Sequence, residues 1–278
     1  MAKADFLFYN GKTVRSDKLL ISPNNRSFRY GDGFFETIKW ANGAILFEKL
    51  HMERLFHSLA TLQFIPPTYF NAAYIINAIN GLIQKNQHHF LARVRITIFR
   101  GEGGIYDQQN HFPNLIIQTW DLNLSNNQLN ENGLEIDIFK LAIKSADHYS
   151  GLKTNNYLPY LMGALWAKEH HLNDAVLLNS DGNIADSTIA NVFIVTNGII
   201  KTPALSEGPV AGIMRRFLIN QLKVNSYEVE EGVVTVEEMQ NANEIWLTSA
   251  IYGIRWVKLF GTINYTNKLA SKIFHQLL

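Results

Sequence analysis

Apolar and polar positions in the first 120 residues predict paired strands followed by helices. The segments that flank Asn10-Gly11 and Asn42-Gly43 alternate between apolar and polar residues, and an Asn-Gly pair between such segments is a strong signal for a tight hairpin turn. Residues 48–62 have helical spacing, and a second helix is predicted around residues 69–86. The alternating segment 90–100 then predicts a strand with Arg93 and Arg95 on one face.

The second half of the chain repeats this mixture of strands and helices. Residues 134–142 predict a strand, and residues 212–223 predict a helix. Turn signals at Asp181-Gly182 and Asn197-Gly198 predict a strand meander between them. Apolar residues at helical spacing after residue 157 predict a helix whose apolar side faces the core: Leu158, Leu161, Met162, Leu165 and Trp166.

The two halves are separated by an Asn-rich stretch that is poor in large side chains, at residues 121–133. We therefore predict a small N-terminal α+β domain at 1–121, a linker at 122–133 and a larger C-terminal α+β domain at 134–278. Strands and helices do not alternate as they would in a doubly wound parallel sheet.

Composition narrows the classes of function. The chain of 278 residues carries 25 basic and 24 acidic residues, and a formal charge of +1 gives little electrostatic support for binding nucleic acid or an anionic membrane. Cysteine is absent, which excludes disulfides and thiolate nucleophiles and fits a reducing compartment. No signal peptide is evident, and no segment approaches the ~20 apolar residues of a membrane helix. We expect a cytoplasmic protein that binds small molecules.

Lys153 is the first candidate for a catalytic residue, since it lies in a polar Gly/Thr/Asn stretch just before an apolar helix. Taken alone, it is either a solvated loop charge or a reactive amine. The glycines of "SEGPVAGIMRRFLI" lead into a predicted helix whose first N–H groups, those of Ile213 and Met214, would suit an anion such as phosphate. A second cluster, "RGEGG", lacks the following helix of a nucleotide loop and is interpreted as a loop that shapes a pocket. The histidines have no metal-binding spacing, so no metal is expected.

Four segments in order resemble the class IV aminotransferases, the fold-type-IV pyridoxal-phosphate enzymes. They are "RSFRYGDGFFETIKWANGAILFEKLHMERLFHSL", "LKTNNYL", "DGNIADSTIANVFIV" and "TPALSEGPVAGIMR". The family includes branched-chain aminotransferase, D-amino-acid aminotransferase and aminodeoxychorismate lyase, and the similarity spans nearly the whole chain. It implies a two-domain, D-amino-acid aminotransferase-like α+β fold with pyridoxal 5'-phosphate between the domains. It also implies a homodimer.

The resemblance assigns roles to single residues. Lys153, in the C-terminal domain, would be the Schiff-base lysine, and an amine of this kind can also shuttle a proton at the substrate carbon. Asp186 would hold the pyridine nitrogen protonated, and Tyr157 would lie near the phenolic oxygen. The phosphate would be held by five residues: Arg54, Ile213, Met214, Thr248 and Ser249. The substrate pocket would be lined by Tyr30, Phe35 and Arg95.

Three departures from the family pattern bear on the reaction. Asp186 stands where the family usually has the longer Glu. Met214 stands where aminotransferases commonly have Thr, and "GIMR" resembles the lyase branch. The stretch "EGGIYDQQNHF" lacks the Arg and His with which D-amino-acid aminotransferases bind the substrate carboxylate, so that subgroup is disfavoured.

The expected reaction is therefore the cleavage of 4-amino-4-deoxychorismate to 4-aminobenzoate and pyruvate, a step of folate biosynthesis. "GIMR", the compact length and Arg95 favour this lyase. An amino-acid aminotransferase of the branched-chain type is the alternative, favoured by Tyr30, Phe35, the same Arg95 and the apolar Ile105. A catalytically silent dimer that binds a phosphate ligand is the third interpretation.

Overall fold

The structure is a computed structural model that describes residues 5–107 and 110–278. The first four residues, and residues 108 and 109 of the stretch that disfavours D-amino-acid aminotransferase, lie outside the described residues. The chain divides into two compact units. One comprises Met1–Ser125 with Lys153–Asn156, and the other comprises Asn126–Leu152 with Tyr157–Leu278.

The N-terminal unit is built on a six-stranded sheet in the order β2-β1-β6-β5-β3-β4, and all of its pairs are antiparallel. The strands are β1 (Phe6–Tyr9), β2 (Lys12–Arg15), β3 (Gly33–Ala41), β4 (Ala44–Ile45), β5 (Leu91–Phe99) and β6 (Asn114–Asp121). The helices are α1 (Arg26–Tyr30), α2 (Glu48–Thr61) and α3 (Ala72–Lys85).

The predicted hairpins of this unit are confirmed. Asn10 and Gly11 between β1 and β2 have φ of 44° and 91°, and Asn42 and Gly43 between β3 and β4 have φ of 47° and 90°. Positive φ at both central residues is the requirement of the tight hairpin turn that Asn-Gly favours. The local sequence therefore determines where the chain reverses.

The core of the unit lies between one face of the sheet and the helices α2 and α3. Alternate residues of β3 and β5, including Ile38 and Ile96, are fully buried against Leu55 of α2 and Ile79 of α3. Strand alternation sends the intervening residues to the opposite face of the sheet. That opposite face carries the basic residues described below.

The segment 153–156 adds to the edge of this unit at the start of β3. The N–H of Phe35 donates to the carbonyl of Lys153 at 2.9 Å, and the N–H of Asn155 donates to the carbonyl of Gly33 at 2.9 Å. These bonds explain why the segment groups with the N-terminal unit, whereas the sequence placed Lys153 in the C-terminal domain.

The second unit is built on a nine-stranded sheet, with eight strands in the order β12-β11-β10-β13-β14-β7-β8-β9 and β15 beside β14. Its strands are β7 (Leu134–Lys144), β8 (Asp174–Asn179), β9 (Ile184–Ser187), β10 (Asn191–Thr196), β11 (Ile199–Pro203), β12 (Val229–Gly232), β13 (Glu244–Ser249), β14 (Gly253–Phe260) and β15 (Ile263–Asn264). Its helices are α4 (Leu158–Glu169), α5 (Ile213–Val224), α6 (Val236–Gln240) and α7 (Lys268–Leu277). The sheet is mixed, because β7 is parallel to both β8 and β14 and β11 is parallel to β12.

The predicted orientation of α4 is wrong. Tyr160, Gly163 and Ala167 form its buried side, and a Cβ on Gly163 would lie 3.4 Å from the ring of Phe139 on β7. Because this face packs closely on the sheet through small residues, the larger apolar side chains point outward. Exposed fractions of 45–63% are found for Leu158, Leu161, Met162 and Leu165. Trp166 is half-buried.

Within residues 5–107 and 110–278, every helix falls short of the length or the apolar composition required to cross a membrane.

The pairing of residues 153–155 with β3 depends on a close backbone approach at Gly33. A Cβ at this position would lie 2.3 Å from the carbonyl oxygen of Ile98 and 2.7 Å from Nδ2 of Asn155. We expect Gly33→Ala to destabilise the protein by roughly 1–3 kcal/mol in urea unfolding, because the backbone must shift to relieve overpacking.

Gly81→Ala is the matched control, because Gly81 lies in α3 with open space around it. This substitution should stabilise the protein by about 0.5–1 kcal/mol. Equal stabilities of the Gly33→Ala variant and the wild type would contradict the close approach.

Candidate active site

In the N-terminal unit, the charged groups of Arg95 and Lys153 both lie close to the aromatic ring of Phe35. The ammonium nitrogen of Lys153 lies 4.7 Å from the centroid of the Phe35 ring, and the guanidinium carbon of Arg95 lies 3.8 Å from the same centroid. The Phe35 ring is buried, while Lys153 and Arg95 are half-buried. Both cations are within the distance at which an aromatic face attracts a positive charge. Two predicted site residues, Lys153 and Arg95, therefore lie against the ring of a third, Phe35.

The sheet face that carries Phe35 is basic. Thr37 of β3 pairs with Arg95 of β5, and Lys39 pairs with Arg93, so their side chains share one face with Phe35. Burial lowers the pKa of Lys39. The residues of β3, β5 and β6 on this face include no acid. Such a surface favours an anionic ligand.

Tyr30, the remaining predicted pocket residue, ends α1. Its ring lies 5.0 Å from the guanidinium carbon of Arg29 and 5.8 Å from that of Arg26, and the residue is 38% exposed. The structure thus places Tyr30 with the arginines of its own helix.

Arg54 is held by a buried acid, Glu36, on the core side of β3. Nε and one terminal nitrogen of Arg54 donate to the two carboxylate oxygens of Glu36 at 2.7 and 2.6 Å. Nδ1 of His51 lies 2.8 Å from the same carboxylate, and both His51 and Glu36 are almost fully buried. A bidentate pair of this kind fixes the orientation of a guanidinium.

The charge states in this cluster follow from burial and contact. Burial alone would raise the pKa of Glu36, but Arg54 and His51 together lower it from 4.5 to about 2. Burial also lowers the pKa of His51, against the opposing effect of Glu36. The cluster is therefore a carboxylate bound by a guanidinium and a neutral imidazole.

Glu36 and His51 were not among the site residues predicted from the sequence. A signal existed, because Glu36 lies between Phe34 and Ile38 at an inward position of β3, and an acid there requires a buried partner. Both partners, His51 and Arg54, lie on α2 three residues apart.

Asp186 is one of the buried acids of the second unit. It lies on β9 and is 2% exposed, and its Oδ2 accepts hydrogen bonds from the hydroxyl of Tyr160 at 2.9 Å and from the N–H of Val210 at 3.0 Å. Burial and the adjacent carboxylate raise the pKa of Tyr160 well above its usual range, so the phenol remains a donor. Tyr157 stacks on Tyr160 with ring centroids 4.3 Å apart, and its hydroxyl donates to the carbonyl of Thr188 at 3.1 Å.

The turn before α5 is tied to Asp186 and to β10. Val210 donates to Asp186 through its N–H, and its carbonyl accepts from the Asn191 side chain at 2.8 Å. A Cβ at Gly212 would lie 1.9 Å from Oδ1 of Asn191, so this closely packed position requires glycine. Among the residues that the structure describes, no side chain caps α5, whose first residues are Ile213 and Met214. The first backbone N–H groups of a helix have no intrahelical acceptor and can bind an anion.

Thr248 and Ser249 lie at the end of β13. Thr248 pairs with Asn191 across the sheet and is 1% exposed. Its hydroxyl is buried and makes no hydrogen bond to any of the described residues. A buried hydroxyl in this state indicates a missing ligand or water. Ser249 is half-buried, and its hydroxyl lies 3.4 Å from the N–H of Tyr252.

The model of one family, the class IV amino-transferases, matches residues 33–260. The chain belongs to this family. The predicted resemblance is therefore confirmed, and the protein is an enzyme.

Two relatives of this class IV enzyme are named for different reactions, one as a lyase and one as an aminotransferase. It is 28% identical over 266 residues to an aminodeoxychorismate lyase of Bacillus subtilis, with 93% of this chain and 88% of the relative covered. It is 26% identical over 256 residues to the branched-chain-amino-acid aminotransferase of Escherichia coli strain K12, with 88% and 82% covered.

The fold is also found in solved structures. The branched-chain aminotransferase of the archaeon Thermoproteus uzoniensis, solved with norvaline, superposes with a TM-score of 0.87 at 21% identity, covering 98% of this chain and 93% of the other. The predicted two-domain α+β, fold-type-IV class is confirmed.

The residues of this class IV enzyme fit the chemistry of pyridoxal phosphate. The helix start at Ile213 and the buried Thr248 hydroxyl offer donors to a phosphate, and Asp186 offers a buried acceptor. Across the described residues, no group of three histidine or acidic side chains is arranged to hold a metal ion.

Replacing Glu36 by Gln should destabilise the protein at pH 7 by roughly 3–5 kcal/mol, because Arg54 would lose its buried counter-charge. The folded-state pKa of Glu36 lies below its usual value of 4.5, so its contribution is complete above pH 4.5 and is lost as the pH falls toward 2. The difference between the wild type and the variant should be roughly 2 kcal/mol smaller at pH 3 than at pH 7.

Urea unfolding at the two pH values measures this difference, with Glu131→Gln as the control at an exposed position. A difference that does not change with pH would show that Glu36 carries no charge in the folded protein.

Proposed function

We propose that this class IV enzyme uses pyridoxal 5'-phosphate to convert 4-amino-4-deoxychorismate into 4-aminobenzoate and pyruvate. The observation that carries the proposal is the basic sheet face of β3 and β5 beside Phe35. Lys39, Arg93 and Arg95 share that face. The substrate carries two carboxylates, whereas a branched-chain amino acid carries one, so three adjacent cations favour the former.

The predicted site residues would divide the binding of the cofactor among them. Lys153 would bind it covalently, and Arg54, oriented by Glu36, would bind its phosphate together with the first N–H groups of α5 and the Thr248 hydroxyl. When bound, the cofactor supplies a ring that accepts electrons from the substrate carbon that bears the amino group.

Asp186 would bind the pyridine nitrogen despite being shorter than glutamate. Its Oδ2 is fixed by Tyr160 and Val210, which define the direction of the carboxylate. Tyr157, stacked on Tyr160, would lie near the phenolic oxygen of the cofactor.

Lys153 would move the proton in the reaction. Its free amine would take the proton from the ring carbon that bears the amino group. The bond between the adjacent ring carbon and the enolpyruvyl oxygen would then break, which makes the ring aromatic, and the departing enolpyruvate would receive a proton at its methylene carbon and leave as pyruvate. Contact with the Phe35 face and proximity to Arg95 restrict where this amine can lie. A positioned proton donor or acceptor typically contributes a factor of roughly 10²–10⁴ in rate.

An amino-acid aminotransferase is the second candidate. The aromatic ring of Phe35 offers an apolar wall for an aliphatic side chain, and one cation, Arg95, suffices for one carboxylate. Relatives named branched-chain aminotransferase are 26% identical to this chain, close to the 28% of a relative named lyase. Identity therefore does not separate the two reactions.

The same proposal includes a homodimer in the cytoplasm. The exposed stripe on α4, formed by Leu158, Leu161, Met162 and Leu165, is a contiguous apolar surface of the kind that marks protein interfaces. A second copy of the chain is the partner that we assign to this stripe.

Purified protein supplied with pyridoxal phosphate should form 4-aminobenzoate and pyruvate from 4-amino-4-deoxychorismate. This reaction should be faster than amino transfer from leucine to a keto acid, because the basic face favours a substrate with two carboxylates over one with a single carboxylate. Lys153→Gln should abolish both reactions, and Lys168→Gln, at an exposed site on α4, should affect neither.

Faster amino transfer would replace the lyase by the aminotransferase. Absence of both reactions from a protein that binds pyridoxal phosphate would support the silent dimer.

A further inference from the structure

A buried lysine, Lys144, lies near the Tyr160 and Asp186 pair of the second unit. Lys144 ends β7 and is 9% exposed, which is unusual for this residue type. Its ammonium group donates to the carbonyl of Ser150 at 3.1 Å and lies 5.8 Å from the centroid of the Tyr160 ring. The hydroxyl of that tyrosine donates to Asp186. Lys144 therefore approaches the ring whose hydroxyl binds the Asp186 carboxylate.

The charges around Lys144 come from three elements. Asp186 on β9 and Asp147 in the loop after β7 are the carboxylates that act on it, and Tyr160 on α4 is the neighbouring phenol. Burial lowers the pKa of Lys144, and the two carboxylates oppose this effect. Asp147 is exposed, whereas Asp186 is buried, so solvent screens the first interaction more than the second.

Burial and hydrogen bonding act on the Asp186 carboxyl in opposite directions. Removing a carboxylate from water disfavours its ionised form, whereas hydrogen bonds from Tyr160 and Val210 favour it. A nearby ammonium group favours the ion further. An acid can keep a pyridine nitrogen protonated only if it is itself ionised, because a neutral carboxyl offers no counter-charge.

We propose that Lys144 is a positioning residue that keeps Asp186 ionised, so that the shorter acid can serve the ring nitrogen of the cofactor. The role of Asp186 toward the cofactor rests on the proposed function. The electrostatic action of Lys144 on Asp186 does not, because it concerns two side chains within one unit.

The test is a titration of Asp186 in the protein without cofactor, followed by ¹³C NMR of labelled aspartate carboxyl groups and assigned with Asp186→Asn. In Lys144→Met, the proton affinity of Asp186 should rise at least tenfold relative to the wild type. Lys144→Arg keeps the charge and should restore an affinity close to that of the wild type. Lys140→Met, at an exposed position of β7, is the matched control and should change nothing.

Lys144→Gln separates charge from structure, because its amide can still donate toward Ser150 but carries no charge. It should raise the proton affinity of Asp186 as the Met variant does. An unchanged affinity in both Met and Gln variants would overturn the proposal. A rise in the Met variant alone would also overturn it, because the loop contact rather than the charge would be responsible.

Binding of pyridoxal phosphate by the wild type and by Lys144→Met is measured separately. Failure of the wild type to bind would contradict the proposed function, while the carboxyl titration would still test the action of Lys144 on Asp186. If the wild type binds and the titration shows no effect of Lys144, the proposed function stands and this inference fails.

Discussion

Two backbone hydrogen bonds attach Lys153 and Asn155 to the first strand residues of β3, and the placement of the candidate catalytic lysine depends on them. They bring together parts of the chain about 120 positions apart in sequence. The pairing requires glycine at position 33, where a Cβ would collide with the neighbouring strand and with Asn155. It also places Lys153 against the ring of Phe35, the second residue after Gly33. A main-chain constraint thus determines where the candidate catalytic lysine lies.

Two buried acids are stabilised in different ways in the two units. Glu36 is neutralised directly by the guanidinium of Arg54 and receives a further contact from His51. Asp186 accepts hydrogen bonds from two neutral donors, the hydroxyl of Tyr160 and the N–H of Val210. The side-chain nitrogen of Lys144 lies 5.8 Å from the centroid of the Tyr160 ring. The first arrangement is a rigid structural ion pair that orients Arg54. The second is a buried carboxyl whose direction is fixed by two hydrogen bonds.

Local features of the fold could be predicted from the sequence, and features set by distant contacts could not. Asn10-Gly11 and Asn42-Gly43 indicate their hairpins because the turn needs positive φ at both residues. The spacing of Leu158, Leu161 and Leu165 identifies one side of α4, but spacing alone does not say what covers that side, and it is exposed in this chain. The association of Lys153 with β3 could not be predicted, because nothing in a local pattern sets the register between distant segments. The roles of the site residues were inferred from four ordered segments, whereas the burial of Lys144 and its approach to Tyr160 emerge only from the structure.

The central claim is that Lys153 carries the cofactor. Borohydride reduction of the protein with bound pyridoxal phosphate, followed by proteolysis and mass spectrometry, locates the lysine that bears the pyridoxyl group. The account predicts the label on the peptide that contains Lys153 and its loss in Lys153→Gln. A label on another lysine, or an unchanged yield in the variant, would contradict the account.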